Sequence, residues 1–83
     1  MDIHTETLAV LDEVLGLKGR SSLMTAESSL LGAIPELDSM AVLAVITTLE
    51  ERFGFVVADD ELDAAAFATV GTLTEFVSAK LGK

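Results

Sequence analysis

The sequence predicts an all-α fold: a small four-helix bundle of three longer helices and one short third helix, with a long loop between the first and second. Three observations carry this. The chain has 83 residues, enough for one domain with a single core. Hydrophobic residues make up 51% of it, and over three segments they recur at three- and four-residue steps. Between those segments lie glycines, serines, threonines and the single proline, and nothing that would offer a strand a partner.

The first helix is predicted from about Ile3 to Leu17. Ile3, Thr7, Val10, Leu11, Val14 and Leu15 fall on one side, while Glu6, Ala9, Asp12 and Glu13 fall on the other. Gly16 and the Lys18-Gly19-Arg20 stretch supply a stop, glycine for the turn and bases for the negative helix end. From Lys18 to Asp38 no period persists, and the segment reads as a connection pinned by apolar groups such as Leu23-Met24 and Leu30-Leu31. Ser39 to Phe53 gives the strongest helical pattern, with Val42, Val45, Ile46, Leu49 and Phe53 on one face, Ser39 as N-cap and Gly54 as stop. Phe55-Val56-Val57 reads as a buried extended connection. A short third helix then starts at Asp59-Asp60-Glu61-Leu62-Asp63, its acids suiting the positive end of the helix dipole, and ends near Ala65. The last helix starts at Thr69 or Thr72, with Thr72-Leu73-Thr74-Glu75 at capping-box spacing. Val70, Leu73, Phe76, Val77 and Leu81 form its inner stripe, and Gly82 closes it.

The charge balance narrows function. Fourteen acids against five bases leave a net charge of −9, which repels nucleic acid and anionic lipid surfaces and favours a partner with a basic face. The longest apolar run, Met40 to Ile46, falls far short of the ~20 residues a membrane-spanning helix needs. The first residues lack the basic and apolar regions of a secretory signal, so the expected location is cytoplasmic. No surplus apolar stripe is left once the bundle packs, so the expected state is a monomer. With no cysteine, the chain has no disulfide, no thiolate nucleophile and no Cys-based zinc site of its own.

Catalytic constellations are thin. The only histidine, His4, sits in a first turn, so a Ser39-based hydrolase would depend on a mobile partner. Asp59, Asp60, Glu61 and Asp63 lack the alternating ligands, central glycine and terminal glutamate of an EF-hand loop. No metal site is expected. The informative stretch is Leu37-Asp38-Ser39-Met40, where the loop meets the second helix. A serine there would hold a phosphate ester beside free backbone N–H groups at the positive end of the dipole, although Asp and Ser are also ordinary caps.

In context these residues resemble the acyl carrier protein family. The resemblance spans almost the whole chain: Leu15-Gly16-Leu17, Asp38-Ser39-Met40, Leu49-Glu50-Glu51-Arg52-Phe53-Gly54, Asp59-Asp60-Glu61 and Phe67-Ala68-Thr69-Val70. It implies a single carrier domain over 1–83, with no turnover of its own, that holds an acyl or aminoacyl group as a thioester on a 4'-phosphopantetheine arm. It further implies that Ser39 is the attachment residue. A phosphopantetheinyl transferase using coenzyme A and magnesium would load it, with Asp38 helping to position the metal. The missing cysteine then means that the thiol comes from the prosthetic group.

Two departures stand out. Many relatives have glycine two residues before the Asp, where this chain has Pro35-Glu36-Leu37-Asp38, a stiffer approach to the serine. The outer face of the second helix, Met40, Ala44, Thr47 and Glu51, also carries fewer acids than fatty-acid carriers show, leaving Glu50 and Glu51 near its far end. Met40, Ala44, Thr47, Glu50 and Glu51 are the expected partner-docking residues, for an acyl-activating ligase and acyl-transferring enzymes. The Pro-Glu-Leu-Asp-Ser-Met and Glu-Glu-Arg-Phe-Gly-Phe stretches look most like stand-alone carriers associated with exosortase or exopolysaccharide loci. Ala64, Ala65 and Ala66 offer a second, weaker expectation, of space for an acyl chain. The alternative is a cofactor-free interaction module of the same fold, with Ser39 merely capping its helix. The Asp38-Ser39 pair speaks against it, since capping needs only one of them.

Overall fold

The computed structural model describes residues 2–32, 37–61 and 64–82. Among these, three α-helices form the bundle: α1 over Ile3–Leu15, α2 over Ser39–Phe53 and α3 over Val70–Lys80. α1 packs against both of the others. It contributes Val10, Leu11 and Leu15, α2 contributes Val45, Ile46 and Leu49, and α3 contributes Val70, Leu73 and Val77 to one core. Each such side chain gains roughly 1.5–3 kcal/mol by leaving water. The faces predicted from periodicity are the buried ones, with Ile3, Val14, Val42, Phe53, Phe76 and Leu81 at the core margin.

Helix ends follow side-chain chemistry. Asp2 caps α1 by accepting from the His4 amide, and Gly16 ends that helix two residues before the expected Leu17 by taking φ of 64°. Leu17 is still buried, because the chain turns back after Gly16. Gly54 ends α2 in the same left-handed conformation, which costs glycine nothing. α3 starts at Thr69, not Thr72. The Thr69 hydroxyl accepts from the Thr72 amide while the Thr72 hydroxyl accepts from the Thr69 amide, so Thr72 closes a box that starts three residues earlier.

Where a short third helix was predicted, the described residues form two 3-10 turns, Asp59–Glu61 and Ala64–Phe67. Leu62 and Asp63 of that prediction lie outside the described residues. Glu61 is occupied locally: its carboxylate accepts from the Ala58 amide at 2.9 Å and from Lys80 Nζ at 2.7 Å. The Lys80 ammonium, then the Ala58 amide, hold its pKa below the ordinary value. Glu61 therefore stabilises a turn and an ion pair to α3, rather than the start of an α-helix. In the preceding connection Phe55 and Val57 are half-buried, but Val56 is 77% exposed, so it is not buried throughout.

The long loop is held differently from the expectation. Of its apolar side chains Leu30 is buried and Met24 lies at the core margin, whereas Leu23 and Leu31 face solvent. Backbone pairing does more. The Leu31 amide donates to Phe67, Leu30 to Ala68, Val70 to Ser28 and Gly71 to Ala26, around an antiparallel bridge of Ser29 with Thr69. At Gly71 the approach is so close that a Cβ would lie 2.8 Å from the Ala26 carbonyl oxygen.

Nearer α1, the Asp12 carboxylate organises the 3-10 turn Arg20–Leu23. It accepts from the Ser21 hydroxyl at 2.7 Å and from the amides of Gly19 and Ser21. The Ser21 hydroxyl, followed by those amides, holds its pKa below the ordinary 3.8. A lowered folded-state pKa stabilises the fold above the ordinary value, and the contribution disappears as pH falls through the folded one. Asp12→Asn should therefore lower Tm at neutral pH, with the gap to wild type closing as the pH is taken well below 3.8. Melts followed by circular dichroism across that range check this.

Candidate functional site

The chain reaches α2 through Leu37, which is buried and anchors the approach to the helix. Pro35 and Glu36, part of the stiffer approach read from the sequence, lie outside the described residues. Asp38 is extended, with φ of −107° and ψ of −174°, and its Oδ1 accepts from the Ala41 amide at 2.8 Å. Its carbonyl oxygen accepts from the Val42 amide at 2.9 Å. Asp38, not Ser39, is thus the N-cap.

The reason is positional. The residue just outside the helix has the extended backbone that turns its side chain toward the N3 amide, and the negative carboxylate also suits the positive helix end. Ser39 becomes the first helical residue. It is exposed, and its hydroxyl has no partner among the described residues. Because Asp38 is the cap, its presence beside Ser39 does not by itself distinguish a carrier from a cofactor-free module.

The first turn of α2 suits an anionic ester on Ser39. Of its amides, those of Ala41 and Val42 are taken by Asp38, while those of Ser39 and Met40 have no partner among the described residues. Open amides and the positive dipole end favour a phosphate. These are the groups that could hold a phosphate ester.

Next to Ser39 lies a largely apolar exposed stripe. Met40 is 73% and Leu43 52% exposed, and Ala44 and Thr47 continue the same surface. Leu43 was not among the residues expected there. Its position three residues after Met40 and one before Ala44 was the available signal, obscured because leucine ordinarily reads as core. The two acids behave differently. Glu51 is exposed and lines an open groove of about 570 Å³ between α1 and α2, with Glu13, Val14, Thr48 and Arg52. Glu50 Oε2 accepts from the Val57 amide at 2.7 Å and so fastens the turn after α2. Of the three alanines, Ala65 faces solvent and Ala66 packs at the core margin.

Comparison with known proteins gives the same class. The chain matches the phosphopantetheine attachment site family over residues 7–77. It is 51% identical to a holo acyl carrier protein from Nitrosomonas europaea whose structure was determined in solution by NMR. The two chains superpose with a TM-score of 0.91, and each is covered completely. Among curated proteins, none matches. The chain belongs to the acyl carrier protein family of phosphopantetheine-binding domains. It is a carrier without turnover of its own, which bears acyl groups on a covalently attached 4'-phosphopantetheine.

The separation of roles between Asp38 and Ser39 is open to measurement. Asp38→Ala should lower Tm by roughly 4–8 °C through loss of one cap, whereas Ser39→Ala should stay within about 0.5 kcal/mol of wild type in denaturant unfolding.

Proposed function

We propose that Ser39 Oγ is the atom that carries the phosphopantetheine arm, and that the neighbouring stripe of α2 is where partner enzymes meet the carrier. The observation that carries the proposal is an exposed serine hydroxyl, released from capping by Asp38, at the head of a helix whose first two amides have no partner among the described residues. In the loading reaction Ser39 Oγ attacks the phosphorus that bears pantetheine in coenzyme A. A P–O bond to serine forms as the pyrophosphate P–O bond breaks. Adenosine 3',5'-bisphosphate leaves, and the serine proton passes to a base of the transferase. Asp38 lies one residue away, where its free carboxylate oxygen can help the transferase position magnesium.

Met40, Leu43, Ala44 and Thr47 make the docking stripe, with Glu51 toward its far end. Glu50, bound to the Val57 amide, supports that end rather than meeting a partner directly. A weakly charged stripe suits a dedicated acyl-activating ligase and its acyl-transferring partners better than enzymes that rely on dense acidic pairing. The sequence likeness to carriers of exosortase and exopolysaccharide loci agrees with such a loader, and the cytoplasm is the compartment where acyl activation would take place. No described helix is long and apolar enough to cross a membrane.

Incubation with coenzyme A, magnesium and a broad-specificity phosphopantetheinyl transferase should add one phosphopantetheine by intact mass, and Ser39→Ala should abolish the addition. Once the arm is attached, Ala44→Arg or Met40→Glu should slow loading by the cognate acyl-activating enzyme about tenfold, equivalent to 1.4 kcal/mol, with the helical circular dichroism unchanged. Unaltered loading rates would remove the stripe from the docking surface.

A further inference from the structure

The chain has no cysteine, so its three methionines hold all the sulfur that the polypeptide itself presents to an oxidant. Two of them, Met24 and Met40, are among the described residues, and they differ in access. Met24 packs at the margin of the core, whereas Met40 is 73% exposed in the first turn of α2. An oxidant must reach the sulfur, so of these two Met40 is the one that reacts first.

Its place on α2 gives that reaction a consequence. Met40 follows Ser39 directly, and helical side chains of its length lean toward the helix N-terminus, here the end that holds Ser39. Leu43 and Ala44, three and four residues on, are its neighbours on the exposed surface, and neither has a polar side chain. A sulfoxide at Met40 puts a polar group into this apolar patch, and an enzyme that covers the patch must then strip water from it. The fold is spared, because a side chain this exposed supplies little of the packing.

We propose that Met40 is a redox-sensitive modification site, where a peroxide oxidises the thioether and so slows the enzymes that approach Ser39. The sulfur lone pair attacks one peroxide oxygen, the O–O bond breaks and an S–O bond forms. The sulfur gives up two electrons, and hydrogen peroxide is reduced to water. A thiol-dependent methionine sulfoxide reductase reverses the step: two thiols supply the electrons, and the oxygen leaves as water. The effect on loading rests on the carrier reading at Ser39 and on the α2 stripe; the preferential oxidation of Met40 does not.

The full chain before attachment of the arm is the form to test, since it has no thiol to compete for the oxidant. Dilute hydrogen peroxide should add one oxygen atom by intact mass, and peptide mapping should place it on Met40 ahead of Met24. Coenzyme A, magnesium and a broad-specificity phosphopantetheinyl transferase then report the rate of arm attachment, each protein being compared with its own untreated sample. Peroxide should slow attachment to wild type about tenfold, the scale of one apolar side chain lost from a contact, with Tm unchanged. Methionine sulfoxide reductases, one for each sulfoxide epimer, should restore the rate. In Met40→Leu the treated and untreated rates should agree, and in Met24→Leu the slowing should persist. Oxidation of Met24 first, or an oxidised wild type that accepts the arm at its untreated rate, would overturn the proposal. A fall in Tm on oxidation would assign the slowing to unfolding and overturn it as well. Failure of untreated wild type to accept an arm is seen before any oxidant is added, and it would overturn the carrier reading and the loading effect together.

Discussion

The antiparallel backbone pairing between residues 26–31 and 67–71 is the constraint on which the site depends. An irregular loop of this length has little side-chain burial of its own, and its amides and carbonyls must still find partners wherever water is excluded. Here they find them in the segment leading into α3. The pairing brings Leu30 into the core and sets where the chain begins its approach to Leu37 and α2. Gly71 is part of the same device, since any side chain at that position would push the two backbones apart. Ser39 is therefore positioned from two directions: by α2 packing on α1, and by a loop tied to α3.

α2 has two distinct duties on opposite faces. Its inner residues are shared with the cores of the other helices and hold it rigidly. Its outer residues beside Ser39 spend little charge, although the chain as a whole has nine excess negative charges. Several acids are committed to local structure: Asp2 and Asp38 cap helices, Asp12 holds a turn, Glu50 fastens the exit from α2, and Glu61 pairs with Lys80. Net charge is thus a poor guide to the charge that the outer face of α2 presents. The distribution of the acids matters more than their number, because a carboxylate already accepting hydrogen bonds is less available to a basic partner.

Much of this architecture was legible in advance. The three helices and their buried faces follow from apolar spacing, which depends only on residues a few positions apart. The family resemblance was equally legible, because its motifs lie at the helix boundaries. What was misread or left open lay where two local options had similar merit. Asp38 and Ser39 are both good caps, and Thr69 and Thr72 both begin plausible helices. The choice between them is made by backbone geometry at the junction. Likewise Asp59 to Ala65 has the composition of a short α-helix, but its described residues form the 3-10 turns Asp59–Glu61 and Ala64–Phe67.

The sequence by itself determined the all-helical class, the inner faces of α1, α2 and α3, and the likeness to acyl carrier proteins, since each is written in local spacing and motif. Tertiary structure alone decided which of Asp38 and Ser39 caps α2, which loop leucines are buried, and that the Thr7 hydroxyl has no partner among the described residues. It also decided that backbone hydrogen bonds, more than apolar side chains, hold the long loop. Those outcomes depend on groups far apart in the chain meeting in one place, and no local pattern encodes which partner a backbone amide or a buried hydroxyl will find.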